Sequence, residues 1–244
     1  MTEIRVSVCM ATYNGERFLA PQVESILAEL EPQDELVVVD DASTDGTTRV
    51  LERFNDPRIH VHAHAENRGY VRTFEEAMGR ATGDVVMLSD QDDVWIPGRR
   101  ALFVSALQDS AVAASNLVLL GSDDPLPNPL TRRPWRLRAA WSRQGVRNAL
   151  RILAGMAPYY GCAMAVRRDA IERVLPFPAY LDESHDLWLA LFGNAHGTMR
   201  HIETATIRRR IHDTNASPSR PRGITQVLRA RVMLLRAWIS ARRR

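Results

Sequence analysis

The sequence predicts an α/β fold with a mostly parallel sheet flanked by helices, and three observations carry that reading. Short continuous apolar runs alternate with segments whose apolar residues recur at helical spacing, the pitch of right-handed βαβ units. Two of the runs end directly in carboxylates, Asp40-Asp41 and Asp90 to Asp93, where open α/β sheets place their ligands. A hydrophobic content of 45% over 244 residues supplies one large domain with a substantial core.

Arg5 to Ala11 reads as the first strand, followed by a polar turn, Thr12-Tyr13-Asn14-Gly15, and a helix on which Leu19, Val23, Ile26, Leu27 and Leu30 recur. Leu36 to Val39 is a second buried strand, and the turn Ala42 to Gly46 leads into a helix carrying Val50, Leu51 and Phe54. Arg58 to His64 is the third strand, and Phe74, Ala77, Met78 and Ala81 mark the next helix. Val85 to Leu88, apolar at every position, suits a fourth strand covered on both faces. A further strand is expected over Ala111 to Leu120. Gly121 to Pro134, with Pro125, Pro127, Pro129 and Pro134, breaks regular structure as a surface loop beside the cleft. Trp135 to Leu153 is helical in pattern, Gly161 to Val166 returns as a strand, and Asp169 to Leu175 is a short helix. Asp182 to Phe192 (DESHDLWLALF) then sets Asp186 at the start of an apolar helix, whose N-terminus stabilises a carboxylate; a simple helix cap is the alternative. In the last segment Ile224, Val227, Leu228, Val232, Leu235, Trp238 and Ile239 share one helical face, with Arg231 intruding. That face either packs on the domain or a second subunit, or lies on an anionic membrane surface beside the closing arginines.

Composition removes several chemistries. All 32 basic residues are arginine, so mechanisms needing a Schiff-base or phosphate-loop lysine are excluded. Cys9 and Cys162 lie far apart in apolar stretches, outside any metal-binding spacing, as buried thiols of a reducing compartment do. There is no charged leader followed by an apolar region, and no apolar run of spanning length, so a cytoplasmic protein is expected. Aromatic residues do not interleave with the arginines, which argues against a nucleic-acid partner.

Asp90, Asp92 and Asp93 fall within four residues. Like charges this close repel and are tolerated where a cation neutralises them; hard oxygen ligands at a strand end suit magnesium or manganese shared with a phosphate. The plainer reading is a solvated acidic turn closed by Ile96-Pro97-Gly98. Asp41, Ser43, Asp45, Gly46 and Glu52 match a calcium-loop spacing, but a β-branched, strand-like run precedes them where that loop needs a helix. His60, His62 and His64 alternate along one strand face, more in keeping with a half-exposed polar sheet face than with zinc. Ser184-His185-Asp186 is contiguous, which is not how a nucleophilic triad is built.

SVCMATYNGERFL, VVVDDASTDGT, ENRG, GDVVMLSDQDDVW, GCAMAVRRDAI, HDLWLAL and RRRIHDTNAS follow one another from about Val6 to Ser217. In that order and spacing they resemble the family 2 inverting glycosyltransferases of the GT-A fold, and among these the bacterial rhamnosyltransferase-like members. The resemblance implies that Thr12, Tyr13 and Asp41 hold nucleobase and ribose, with Asn67, Gly69 and Arg72 lining the same pocket. It implies that Asp90 meets the nucleotide-sugar, and that Asp92 and Asp93 bind Mn2+ or Mg2+, with His212 as a further ligand and Arg210 beside it. Asp186 matches the general base; the preceding residue, usually Glu in the family, is His185 here. The expected layout is a GT-A domain over 1–216, divided into a nucleotide-sugar half (1–110) and an acceptor half (111–216), then a basic helical extension over 217–244. Expected partners are a nucleoside diphosphate sugar, dTDP-rhamnose by likeness with uridine and guanosine donors open, and a glycan or lipid-linked acceptor. The C-terminal helix would reach the cytoplasmic face of the inner membrane. A nucleotidylyltransferase is a weaker alternative, lacking its glycine-rich basic signature and lysine; an inactive nucleotide-sugar sensor or scaffold is left open by the sequence.

Overall fold

A computed structural model describes residues 3–128, 131–213 and 223–244. The boundary expected at 216/217 lies outside the described residues. The first half alternates as the apolar pattern predicts: β1 (Val6–Thr12), α1 (Glu16–Leu27), β2 (Glu35–Asp40), α2 (Thr47–Glu52), β3 (Ile59–Ala63), α3 (Tyr70–Arg80) and β4 (Val85–Ser89). β3, β2, β1 and β4 lie side by side in parallel. Alternate residues feed two separate cores. Val85 and Met87 join the layer with α1 and α4 (Arg99–Ala106), whereas Val86 and Leu88 join the layer with α3 and α7 (His185–Ala195). A strand with both faces covered needs apolar residues throughout, which is why the pattern reads as a run rather than an alternation.

Beyond β4 the sheet becomes mixed. β7 (Met164–Arg167) pairs antiparallel with both β4 and β6 (Val112–Leu119), and β8 (Met199–Arg209) runs parallel to β6. β5 (Val94–Trp95) closes the order β3-β2-β1-β4-β7-β6-β8-β5. β5, β8 and α4 are not evident in the sequence. β5 has two residues, and β8 changes register against β6 around Asn116, so its inward residues do not alternate. α4 begins on a buried arginine. Arg99 lies between the rings of Trp95 and Phe103, at 4.6 and 4.7 Å, and donates to Thr206 Oγ1 (2.5 Å), Leu88 O (3.3 Å) and Cys162 O (2.6 Å). One side chain thereby ties β4, α4, β8 and the Gly161–Ala163 turn together.

Two expected helices differ from the sequence reading. Over 135–153, α5 begins only at Gly145 and ends at Leu153, because the buried side chain of Asn116 captures the Leu137 main chain in place of a helical bond. Asn116 Oδ1 accepts from Leu137 N at 2.7 Å, and its Nδ2 donates to Leu137 O (3.0 Å) and Glu203 O (2.9 Å). The C-terminal helix α8 (Ile224–Ala241) packs on α5 and α7, but through Leu234, Ala237 and Ala241, the two alanines permitting close approach. Ile224, Leu228, Val232, Leu235 and Ile239, expected to share the packed face, point outward. Arg231, the apparent intruder, lies in the seam, where its Nη1 reaches Ile152 O at 3.4 Å near the C-terminus of α5, an end that favours cations.

Asn116→Ala removes three hydrogen bonds at a buried site and should cost about 2 kcal/mol, lowering Tm by roughly 4–8 °C in a chain of this size. A thermal melt unchanged to within about 1 °C would contradict the role given to Asn116.

Candidate active site

The C-terminal ends of β1, β2 and β4 form one edge, since Thr12 lies opposite Asp40 and Met10 opposite Ser89. Thr12 is buried and donates through Oγ1 to Asp40 Oδ1 (2.8 Å), while Asp40 Oδ2 accepts from Ser43 N (2.8 Å) and shapes the turn after β2. Tyr13 is exposed. Its N–H donates to Gln91 Oε1 (2.9 Å), and Gln91 Nε2 donates back to Tyr13 O (3.0 Å), so an amide within the acidic segment fastens the β1–α1 turn. Asp41 is buried. Its Oδ1 accepts from Arg68 N (2.7 Å) and its Oδ2 from Gly69 N (2.9 Å), while Asn67 Nδ2 reaches Asp41 O at 3.2 Å. Gly69 has φ +82°, a conformation that L side chains rarely adopt, so the turn that wraps Asp41 calls for glycine. Arg72 is taken up elsewhere: it pairs with Glu75 and donates to the carbonyls of Phe177, Pro178, Ala179 and Leu181, clamping the loop that precedes α7.

The three carboxylates after β4 divide in two directions. One oxygen each from Asp90 and Asp93 lies within 4.8 Å of the other and of the Cys162 sulfur. Burial, and then repulsion from neighbouring carboxylates, holds both acids well above the usual carboxylate range, with Arg209 pulling the other way. Asp93 Oδ1 also accepts from Arg210 N at 3.0 Å. Asp92 instead faces His212, whose Nε2 lies 2.7 Å from Asp92 Oδ2 and whose ring stacks on Phe18 at 4.4 Å. Among the described residues, Asp90, Asp93 and Cys162 form the only group of three ionisable side chains placed to share a cation. The histidines of β3 do not gather around a common point, and the loop over 41–52 is entered from β2 rather than from a helix.

α7 carries Asp186 in its first turn, and Asp186 Oδ1 accepts from Leu187 N at 2.8 Å. The helix N-terminus was expected to stabilise the carboxylate; burial outweighs the backbone N–H groups and pushes its pKa up to about 6. His185 is buried, with its ring stacked on Phe74 at 4.4 Å, and burial pushes its pKa down to about 3. Its nitrogens have no hydrogen-bond partner among the described residues, so Ser184, His185 and Asp186 form no relay. A Cβ on Gly161 would come within 2.6 Å of His185 Nε2 and 3.7 Å of Asp186 Cβ. Glycine here lets the Gly161-Cys162 step lie directly against α7, and the next residue, Cys162, touches the acidic cluster. Arg209, stacked over Tyr160 at 4.9 Å, acts electrostatically on Asp186, Asp90 and Asp93 alike. The Gly161-Cys162 step and Arg209 thus bring the base candidate and the carboxylates together.

Sequence reasoning passed over Gln91, Arg99, Cys162 and Arg209. Gln91, Cys162 and Arg209 lie inside the recognisable segments, but only the meeting of the β4 end, the Gly161–Ala163 turn and β8 gives them their roles. Arg99 had no local signal, because a buried arginine and a surface arginine look alike in sequence.

An acidic edge on a parallel sheet, continued by mixed strands and faced by a helix that carries a carboxylate base candidate, defines a GT-A-like glycosyltransferase scaffold. Residues 7–175 match Glycosyl transferase family 2, and the chain belongs to that family. Among curated relatives, TuaG of Bacillus subtilis (strain 168), named as a teichuronic acid biosynthesis glycosyltransferase, is 39% identical over 92 residues, 37% of this chain. WfgD of Escherichia coli, a UDP-Glc:alpha-D-GlcNAc-diphosphoundecaprenol beta-1,3-glucosyltransferase, is 29% identical over 107 residues, 44% of this chain. The matched stretches span 36% and 42% of those relatives' own lengths. In fold, the chain resembles S. aureus TarS 1-349 in complex with UDP-GlcNAc, with a TM-score of 0.70 and 19% identity over 95% of this chain and 66% of that chain. It also resembles the mannosyltransferase PcManGT from Pyrobaculum calidifontis in complex with GDP-Man and Mn2+, with a TM-score of 0.63 and 18% identity over 99% of this chain and 74% of that chain.

Proposed function

We propose that this chain is a metal-assisted inverting glycosyltransferase that moves a sugar from a nucleoside diphosphate sugar to an acceptor hydroxyl in bacterial surface polysaccharide synthesis. The observation that carries the reading is the Gly161-Cys162 step, which lies against Asp186 on one side and Asp90 and Asp93 on the other. Residues 1–110 would bind the donor and 111–216 the acceptor, with 217–244 as an extension. Asp41 and the turn over Asn67 to Gly69 wall the nucleoside pocket, with Thr12 and Tyr13 at its floor. The donor set fits a hard divalent cation: clustered carboxylates whose repulsion a cation would relieve, and an imidazole hydrogen-bonded to one of them. Asp90 and Asp93 would hold Mn2+ or Mg2+, and Asp92 and His212, expected as ligands, pair with each other beside them. When bound, the ion supplies positive charge for the departing diphosphate. Arg209 and Arg210, beside the cluster, add fixed positive charge there. Asp186, partly desolvated, takes the proton from the acceptor hydroxyl as that oxygen attacks the anomeric carbon, and configuration inverts. A dTDP-deoxysugar donor such as dTDP-rhamnose is supported by the sequence likeness, and UDP and GDP sugars by the ligands of the fold neighbours. The lipid-diphosphate acceptor of WfgD supports a lipid-linked glycan as acceptor.

No helix among the described residues is long and apolar enough to cross a membrane. Contact with a cytoplasmic membrane face would instead use the outward stripe of α8, Ile224, Leu228, Val232, Leu235 and Ile239, bordered by the exposed Arg229, Arg242 and Arg243.

A base with a pKa near 6 must be ionised to act, so kcat/KM should fall with unit slope as pH drops below about 6. Asp186→Asn should lower transfer by roughly 100-fold or more while donor affinity stays within about twofold. A fully active Asn variant, measured by nucleoside diphosphate release across a panel of sugar donors, would refute the base assignment. For the membrane contact, the triple variant Leu228→Glu, Val232→Glu, Leu235→Glu should lose co-sedimentation with vesicles containing anionic lipid. Equal recovery of the variant and the unmodified protein would remove α8 as the contact.

A further inference from the structure

The nucleoside side of the crevice contains a charged relay that the proposed reaction does not use. His64 follows β3, and its side chain is only 6% exposed. Its Nδ1 lies 2.9 Å from Asp41 Oδ1 and its Nε2 lies 2.9 Å from Glu76 Oε2. A neutral imidazole carries one N–H, so it would leave one of these contacts as a lone pair against a carboxylate oxygen. Only the doubly protonated ring donates to both. Burial opposes that charge, and the hydrogen bonds to Asp41 and Glu76 outweigh it, holding the pKa above the usual histidine value. The charged groups around the ring are accounted for on every side. Asp41 comes from the end of β2 and Glu76 from α3; Arg80 of α3 pairs with Glu76 Oε1 at 2.9 Å, the Arg68 guanidinium lies 3.4 Å from Glu76 Oε2, and His62 lies two residues back on β3.

Asp41 itself is held by three donors: His64, Arg68 N and Gly69 N. The latter two belong to the turn that walls the proposed pocket. The imidazolium therefore braces Asp41 from behind while the turn wraps it in front. We propose that His64 is a positioning residue which, as an imidazolium bridging Asp41 and Glu76, sets the Asp41 carboxylate and the Asn67–Gly69 turn for the donor's nucleoside. The inference rests on the donor-site reading above and adds to it a proton whose loss slackens the pocket. The sign follows from the raised pKa: the brace is complete below it, and affinity for the nucleoside falls as pH rises through it.

The test combines two measurements on the full chain. First, the His64 ring is titrated by NMR without nucleotide, and its midpoint should lie above the ordinary value of about 6.5. Second, UDP, dTDP and GDP are titrated calorimetrically with Mn2+ between pH 6 and 9. The diphosphate that binds should lose affinity above the His64 midpoint. His64→Phe, which keeps a ring of similar size, should bind about tenfold more weakly at low pH and lose that decline, raising donor KM with little change in kcat. Glu76→Gln, which keeps the shape but removes one charge, should move the decline to lower pH. A purely structural histidine would change Tm without moving the pH profile. A wild-type midpoint at or below 6.5 overturns the inference, and so does a pH profile that neither His64→Phe nor Glu76→Gln moves. If His64→Phe does not fold, Glu76→Gln and the NMR midpoint still decide. Failure of every diphosphate to bind the wild type sinks the donor-site reading and this inference with it; binding indifferent to both variants sinks this inference alone.

Discussion

The structure turns on holding buried carboxylates at the end of β4. Asp90 and Asp93 are drawn towards the interior beside Cys162, where desolvation and mutual repulsion both disfavour their charge. What keeps the cluster in place is arginine. Arg99 runs beneath it between two aromatic rings and bonds the carbonyls of Leu88 and Cys162, so the strand that presents the acids and the turn that faces them share one cation. Arg209 approaches from β8 and Arg210 closes on Asp92 O and Asp93 Oδ1. Arginine suits this position because its planar head can stack on rings and bond several carbonyls at once, which a lysine ammonium does less well.

The rest of the crevice hangs on that arrangement. The Gly161-Cys162 step meets the cluster on one side and α7 on the other, so whatever fixes Cys162 also fixes Asp186. Arg72, from α3, ties down the loop before α7, and the same helix supplies Glu76 to the His64 brace behind Asp41. One helix thus connects the nucleoside end of the crevice to the base end. The polar groups committed here stabilise geometry at a local cost in burial, as expected of a functional site in an otherwise apolar core.

The parallel half of the fold was legible because β1, β2 and β4 are buried on both faces and read as apolar runs, and because α1 and α3 have clean helical spacing. Asp41, Asp90, Asp92, Asp93 and Asp186 stood out for a related reason: carboxylates at strand ends or helix starts carry a local signal. The second half was less legible. β8 is polar, changes register around Asn116 and pairs with a strand nearly 90 residues away, none of which a local pattern encodes. The helix expected over 135–153 loses its first part to a side chain distant in sequence. On α8, most of the larger apolar residues that suggested the packed face point outward; Leu234, Ala237 and Ala241 fill the seam and, of the expected face, Trp238 packs against the core. Cys162 looked like an inert core thiol, and it is buried, but only the fold shows what it is buried against.

The central claim is that the acidic cluster binds a cation together with the diphosphate of a nucleotide-sugar. Thermal unfolding with UDP, dTDP and GDP, each with and without Mn2+, tests it most directly. At ~100 times its dissociation constant one of these should add roughly 2.7 kcal/mol, a rise of about 5–10 °C for a chain of this size, and only when Mn2+ is present. No shift with any diphosphate, or a shift of equal size without the metal, would contradict the account.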